Sequence, residues 1–250
     1  MSELHTDGVP SFDGTQIAVH RLGAGRPVLL LHGLFSSAEM NWIRFGHAAK
    51  LVAAGFEAIM PDLRAHGMSD KPHDPAAYPP GVLARDVLAL VEALQLSDYD
   101  LVGFSLGART AARAVIAGLA PRQLVLAGMG LEGLAGWNRR SAFFIDAIDR
   151  FDEVKRGDPA FMAVSFMKTM KIDRVAARLL LNAVDDTREE ELERVTMPTM
   201  VLCGDKDSDN GSAPRLAEAL PDARYVAIPG THMSSVAEGA MGDALVEFLG

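Results

Sequence analysis

The chain has 250 residues, of which about half are apolar and about a quarter charged, an ordinary composition for a globular protein. This length fits one sizeable domain, or one domain that carries a modest insertion. The formal net charge of −9, with no run of Lys and Arg, excludes nucleic acid as an expected partner, because phosphate backbones bind by exchanging counterions for basic side chains.

The N-terminal sequence and the single cysteine bear on the cell compartment. The first residues lack the basic start and apolar centre of a signal peptide, and no apolar stretch approaches the length that spans a bilayer. We therefore expect a cytoplasmic protein without a membrane partner. Cys203 lies in an apolar stretch, where a buried and inert thiol is expected.

The first predicted element is an antiparallel hairpin at one edge of a sheet. Asp13-Gly14 is a turn signal, and the residues that follow it to His20 alternate as in a strand. Short apolar strands and amphipathic helices then alternate as far as Gly130, as in a parallel sheet wrapped by helices. The predicted strands are 28–31, 56–60, 99–104 and 123–127, and the predicted helices are 42–54, 82–96 and 106–117.

After Gly130 the spacing of apolar residues becomes helical for about 65 residues. Helices are predicted around 137–151, from Asp158-Pro159, over 175–184, and from a capping box formed by Thr187 and Glu190. Strands and helices alternate again from Met200. The predicted elements there are strand 200–203, a helix after Pro214, strand 225–228 and a last helix through Val246 and Phe248.

These elements predict an α/β fold, with a mostly parallel twisted sheet, helices on both faces and an antiparallel N-terminal hairpin. The helical stretch interrupts this pattern late in the chain, so it is predicted to be an insertion. Residues 1–130 and 196–250 would form the core domain, and residues 131–195 a helical cap.

Gly103-Phe104-Ser105-Leu106-Gly107 matches the Gly-x-Ser-x-Gly pattern of a nucleophile elbow. A predicted strand precedes it and a predicted helix follows, which is the placement that the chemistry requires. The turn is sharp, so glycines on both sides of Ser105 relieve crowding. Serine alone is a poor nucleophile, and the pattern therefore also requires a base and an orienting acid. A tight glycine turn with an incidental serine is the alternative.

Three further motifs stand in a fixed order along the chain. They are Leu-His-Gly-Leu at 31–34, Pro-Asp-Leu-Arg-Ala-His-Gly-Met-Ser at 61–69, and Met-Pro-Thr-Met-Val-Leu-Cys-Gly at 197–204. With the elbow, they make the chain resemble the α/β-hydrolase family over nearly its whole length, as an esterase-like member with a serine nucleophile and a helical cap. Ala65 and Thr231 replace glycines that are usual in the family, which affects loop geometry and substrate fit.

This resemblance implies a triad in the chain order Ser, acid, His. Ser105 would be the nucleophile, Asp207 the acid and His232 the base. The alternatives for the acid are Asp205, Asp209 and, if the acid stands one strand earlier, Glu132.

The same resemblance assigns backbone groups and the remaining histidines. The N–H groups of Leu34 and Leu106 would form the oxyanion hole, while His32 and His66 would shape backbone loops. The implied acyl-enzyme chemistry needs no metal and no organic cofactor. His5, His20, His47 and His73 are expected to be solvated, and their spacing fits no metal site.

Apolar residues of the cap and of the motifs are expected to line a substrate pocket. The candidates are Phe35, Met129, Trp137, Phe144, Phe166, Met170 and Met233. Such walls favour a small-molecule partner, a carboxylic ester with an apolar group of small to medium size. The sequence leaves the oligomeric state open.

Other activities of the same fold are weighed against ester hydrolysis. Carbon–carbon bond hydrolases share the triad, but Phe104 replaces the asparagine that is characteristic of them. Acyl transfer, perhydrolysis and a receptor that keeps its triad also remain open. Epoxide hydrolases and haloalkane dehalogenases need Asp where Ser105 stands, and epoxide opening uses cap tyrosines. All the tyrosines lie outside the cap, at Tyr78, Tyr99 and Tyr225.

Overall fold

Eight strands form one sheet in the computed structural model, which describes residues 3–250. The order across the sheet is β1-β2-β4-β3-β5-β6-β7-β8; β1 and β2 pair antiparallel, as do β2 and β4, and the other neighbours are parallel. The predicted fold class is thereby confirmed. The strands are β1 (His5–Pro10), β2 (Gln16–Gly23), β3 (Arg26–Leu31), β4 (Phe56–Pro61), β5 (Asp100–Phe104), β6 (Leu124–Ala127), β7 (Thr199–Gly204) and β8 (Ala223–Ile228).

Helices cover both faces of the sheet. They are α1 (His47–Ala53), α2 (Val82–Ala93), α3 (Leu106–Ile116), α4 (Leu131–Ala135), α5 (Trp137–Asp149), α6 (Phe161–Thr169), α7 (Arg174–Ala183), α8 (Ala213–Ala219), α9 (His232–Ser235) and α10 (Gly239–Leu249). Helices α1 and α10 pack together on one face, and α2 and α3 pack together on the other.

Strand β3 shows why the sheet is covered on both sides. Its apolar run leaves no residue for solvent, because successive side chains of a strand point to opposite faces. Leu29 and Leu31 join the core under α2 and α3, whereas Val28 and Leu30 join the core under α1 and α10. All four are fully buried, and each contributes about 1.5–3 kcal/mol of hydrophobic stabilisation.

The helix predicted over 42–54 is interrupted, so that prediction is wrong in detail. A π-helical turn at Glu39–Ile43 precedes α1, and Gly46 separates them with a φ of 80°. This left-handed conformation suits glycine and ends a right-handed helix.

Residues 131–195, all within the described range, lie between β6 and β7 and contain helices, turns and irregular segments but no strand. Helix α6 begins at Phe161 rather than at Pro159, because the Asp158 carboxylate accepts the Ala160 N–H and shapes a turn first. The capping box predicted at Thr187 is wrong. The Glu191 side chain accepts the Arg188 N–H instead, and a 3₁₀ helix, Glu189–Arg194, follows. The division into a core domain and a cap stays a prediction.

Candidate active site

Ser105 lies at the turn between β5 and α3, at the carboxyl edge of the parallel strands. Its φ of 54° and ψ of −111° form a conformation that residues with a side chain rarely adopt. The turn is held in place because the Ser105 N–H donates to the Ala127 carbonyl at 2.8 Å. A Cβ at Gly107 would collide with the Leu31 carbonyl, and one at Gly103 with the Gly107 backbone. Both glycines are therefore required for the turn.

The structure brings Ser105, His232 and Asp207 together from three separate loops. Ser105 Oγ lies 3.0 Å from His232 Nε2, and His232 Nδ1 lies 2.8 Å from Asp207 Oδ2. Asp207 follows β7 and His232 follows β8, so the parallel strands deliver all three side chains to one edge. The His232 ring stacks on the Phe104 ring, with centroids 5.0 Å apart.

The alternative acids have other partners. Asp205 Oδ1 accepts the Gly230 N–H, and Asp209 donates its own N–H to Asp207 Oδ1 at 3.0 Å. Glu132 accepts the Ser212 N–H and pairs with Arg215. Of the four carboxylates considered, Asp207 is the one within hydrogen-bond distance of His232.

The surroundings of Asp207 favour its ionised form. Burial by itself would raise the pKa of Asp207, but the hydrogen bond from His232 and the N–H of Asp209 hold that pKa below its ordinary value. Cys203 adds a weak donor, with Sγ 3.4 Å from Asp207 Oδ2. Burial and the adjacent carboxylate raise the pKa of Cys203 to about 12, so it remains a thiol, and its predicted burial is confirmed.

The backbone N–H groups of Leu34 and Leu106 have no protein acceptor among residues 3–250. Leu106 is the first residue of α3, where helix N–H groups lack internal partners. The loop that carries Leu34 is fixed on both sides: Gly33 donates its N–H to Asn41 Oδ1 at 3.1 Å, and Phe35 donates to His66 Nε2 at 2.9 Å. Both free N–H groups belong to residues that line the same cavity as Ser105.

His32 and His66 bridge the loops after β3 and β4. His32 Nε2 accepts the Leu63 N–H at 2.9 Å, so its Nδ1–H donates to the Gly33 carbonyl. His66 Nε2 accepts the Phe35 N–H, so its Nδ1–H donates to the Arg64 carbonyl at 3.0 Å. Burial lowers the pKa of His32, and it lowers the pKa of His66 to about 3. Because Nε2 of each ring accepts a backbone N–H, both rings are neutral, and their predicted part in shaping loops is confirmed.

Two of the histidines expected in solvent are buried, which corrects that expectation. His20 Nε2 lies 3.2 Å from Asp62 Oδ2, and His47 Nε2 lies 2.6 Å from the Val236 carbonyl oxygen. His5 and His73 are exposed, as expected. Within residues 3–250, no cluster of three or more His, Cys, Asp or Glu has the geometry to hold a metal ion.

A cavity of about 810 Å³ opens onto Ser105 and His232. Six of the seven residues predicted to contact substrate line it: Phe35, Met129, Trp137, Phe144, Phe166 and Met233. Met170, the residue that caps α6, does not line it, although its N–H still donates to the Phe166 carbonyl at 2.9 Å. Met170 is therefore a correction to the predicted pocket.

The sequence interpretation missed several polar residues of the cavity. Asn41, Asn210, Arg109, Arg139 and Arg140 all line it. A signal for Arg140 was present, since it lies three residues after Trp137 and four before Phe144, on the same face of α5.

The buried Arg109 joins α3 to the segment that follows β6. Its guanidinium donates to the carbonyls of Gly133, Leu134 and Asp185, and it lies 4.9 Å from the Trp137 ring centroid. Burial lowers the pKa of Arg109 to about 10, which still leaves it charged at neutral pH. Because all its partners are structural, Arg109 fixes the start of α5 above the cavity.

Comparison with known proteins agrees with the observed fold. The model of a family described as the Alpha/beta hydrolase family matches residues 28–248. The chain therefore belongs to the alpha/beta hydrolase family. None of the helices within residues 3–250 is long and apolar enough to cross a membrane.

Particular relatives carry several different activities in their names. The chain is similar to an epoxide hydrolase from Caballeronia sordidicola, with 36% identity over 44% of this chain and 34% of that protein. It is 27% identical to N-formylmaleamate deformylase from Pseudomonas putida, over 72% of this chain and 70% of that one. An esterase from Exiguobacterium antarcticum has the same fold, with a TM-score of 0.79 at 20% identity and 98% and 99% coverage. The matches span about a third of the length of the first curated relatives.

Proposed function

We propose that the protein is a serine hydrolase that cleaves a carboxylic ester with an apolar group of small to medium size, through an acyl-enzyme. The observation that carries the proposal is the continuous hydrogen-bonded chain from Ser105 Oγ through His232 to Asp207, at 3.0 and 2.8 Å. The Ser105 and His232 end of this hydrogen-bonded series lines a cavity with mostly apolar walls. Nucleophile, base and orienting acid are thus all at working distance.

The hydrogen bonds define which atoms donate and which accept a proton in the reaction. Asp207 accepts from His232 Nδ1–H, which leaves Nε2 free to accept the Ser105 hydroxyl proton. Ser105 Oγ attacks the ester carbonyl, and the oxyanion of the tetrahedral intermediate accepts from the N–H groups of Leu34 and Leu106. His232 then gives its proton to the departing alcohol. Water repeats the sequence on the acyl-enzyme and releases the acid.

Residues 131–195 would act as the cap of this site. Helices α5 and α6 supply Trp137, Phe144 and Phe166 to the cavity wall, and the Phe144 ring packs edge-on against Phe35 with centroids 5.4 Å apart. Such a wall excludes water around the acyl group and strengthens the polar contacts at the reacting carbonyl. The cap therefore selects the apolar part of the substrate.

Epoxide opening, the activity in the names of several relatives, is not supported by this site. That reaction would need a carboxylate where Ser105 stands, together with cap tyrosines. The tyrosines of the chain, Tyr78, Tyr99 and Tyr225, all lie outside residues 131–195. Ester hydrolysis uses the residues that are present.

The test is hydrolysis of short-chain p-nitrophenyl esters by the wild type, Ser105→Ala and the control Ser97→Ala. Ser97 is an exposed loop serine outside the cavity, so Ser97→Ala should keep the wild-type rate. Ser105→Ala should lose at least about a thousandfold in kcat, because triad members act as a unit. Equal rates for Ser105→Ala and the wild type would overturn the proposal.

A further inference from the structure

The cavity carries positive charge in a chain that is strongly negative overall. The net formal charge is −9, yet the ionised residues that line the cavity are Arg109, Arg139, Arg140 and Asp209. A cleft that reverses the sign of the surrounding protein focuses potential on an oppositely charged ligand. A neutral ester would gain no electrostatic binding energy from this positive charge, whereas an anionic ligand would.

The three arginines are not equivalent. The Arg109 guanidinium is engaged with backbone carbonyls and lies 3.7 Å from Asp186, so it has little capacity left for a ligand. Arg140 donates through Nη1 to the Asp209 carbonyl, and within residues 3–250 its Nε and Nη2 have no protein acceptor. Arg139 lines the cavity from the same turn of α5 and has no carboxylate within salt-bridge distance in the described chain.

The position of Arg140 favours an anion over water as its remaining partner. The residue is half-buried, and its guanidinium lies 5.8 Å from the Phe144 ring centroid. Burial lowers the pKa of Arg140, although the charges of Asp209 and Asp207 oppose this effect. A guanidinium that is partly stripped of water, with two N–H directions open, matches a carboxylate in bidentate geometry.

We propose that the substrate carries a carboxylate remote from the scissile ester, and that Arg140 binds this carboxylate with help from Arg139. The inference rests on the proposed ester hydrolysis and specifies its substrate class: a half-ester of a dicarboxylic acid, or an ester of a carboxylated alcohol. The apolar walls would hold the stretch between the two ends. The chemistry at Ser105 is unchanged.

Matched substrate pairs test this by differing only in the remote charge. For the acyl side, p-nitrophenyl hydrogen adipate is compared with its neutral methyl ester. For the alcohol side, 4-acetoxybenzoate is compared with methyl 4-acetoxybenzoate. The measured quantity is the ratio of kcat/KM for the charged member to kcat/KM for the neutral member, in the wild type, Arg140→Gln, Arg139→Gln and Arg156→Gln.

Arg140→Gln should lower this ratio by about tenfold or more for at least one pair, the size of a lost charge-assisted hydrogen bond. Arg139→Gln should lower it less. Arg156 is exposed and lies outside the cavity, so Arg156→Gln makes the same charge change and should keep the wild-type ratio. A purely structural role for Arg140 would slow both members of a pair equally. A ratio that is unchanged in Arg140→Gln for both pairs would overturn the inference.

Binding separates this inference from the proposed function. On Ser105→Ala, adipate, a dicarboxylate that has no ester bond to cleave, should raise Tm, and the added change Arg140→Gln should abolish that shift. If the wild type hydrolyses neither these esters nor the short-chain p-nitrophenyl esters, the ester-hydrolase proposal fails; whenever the pairs are not hydrolysed, the adipate shift alone decides for or against a carboxylate site. A shift that is absent, or equal with and without Arg140, decides against it.

Discussion

Replacing His66 with Gln removes a buried imidazole that the fold holds neutral. His66 accepts the Phe35 N–H at 2.9 Å and donates to the Arg64 carbonyl at 3.0 Å. Gln is uncharged and can offer an acceptor to Phe35, so it keeps part of the loop contact while it loses the titration. The substitution isolates what protonation at this position costs the fold.

The pKa of His66 falls from an ordinary 6.5 to about 3 in the folded protein. The unfolded chain therefore binds a proton here below about pH 6.5, whereas the folded protein does so only near pH 3. Protons favour unfolding between these values, so the stabilisation is complete above pH 6.5 and is lost as the pH falls. At pH 4.5, about two units below the unfolded pKa, the loss from this group is about 2.7 kcal/mol.

The assay is urea unfolding of the wild type and His66→Gln at pH 7.5 and pH 4.5, followed by circular dichroism and fluorescence. Comparison of the two proteins at each pH cancels the titration of the other groups. The advantage of the wild type in unfolding free energy should shrink by about 2.7 kcal/mol between the two pH values. An advantage that stays constant would refute the buried neutral state of His66.

Two further substitutions test the acid and the turn. Asp207→Asn should lower kcat on p-nitrophenyl esters by roughly 10⁴-fold, because an amide no longer holds the His232 tautomer. The control Asp205→Asn should lower kcat by less than about tenfold. A larger loss of kcat in Asp205→Asn than in Asp207→Asn would show that Asp207 is not the acid. Gly107→Ala should lower the free energy of unfolding by about 3 kcal/mol or more, since its Cβ meets the Leu31 carbonyl. The control Gly239→Ala, where the nearest atom to the new Cβ is the end of a flexible lysine at 3.5 Å, should change it by less than about 1 kcal/mol. Equal stability losses in these two variants, measured by urea unfolding, would contradict the close approach at Gly107.

The features that were predictable from sequence are those set by local geometry. The strand, turn and helix around Ser105 lie within a few residues of one another, so the pattern of glycines identifies the turn. Parallel strands deliver their following loops to one edge, so the chain order of Ser105, Asp207 and His232 indicates that they meet. Their contact at 3.0 and 2.8 Å is a matter of tertiary geometry that spacing alone does not give.

The features that the sequence did not reveal depend on distant partners. His47 is buried because it meets the Val236 carbonyl, 189 residues further along the chain. His20 is buried against Asp62, on a loop from another strand. Arg140 was overlooked for a different reason: a charged residue on a helix is usually assigned to solvent, although its spacing from Trp137 and Phe144 put it on the cavity face.

Labelling with a fluorophosphonate, which phosphonylates activated serines, tests the reactivity of Ser105 most directly. The wild type should incorporate one equivalent, mass spectrometry of the peptides should place it on Ser105, and Ser105→Ala should incorporate none. Label on a different serine, or no label on the folded wild type, would contradict the proposal that His232 and Asp207 activate this hydroxyl.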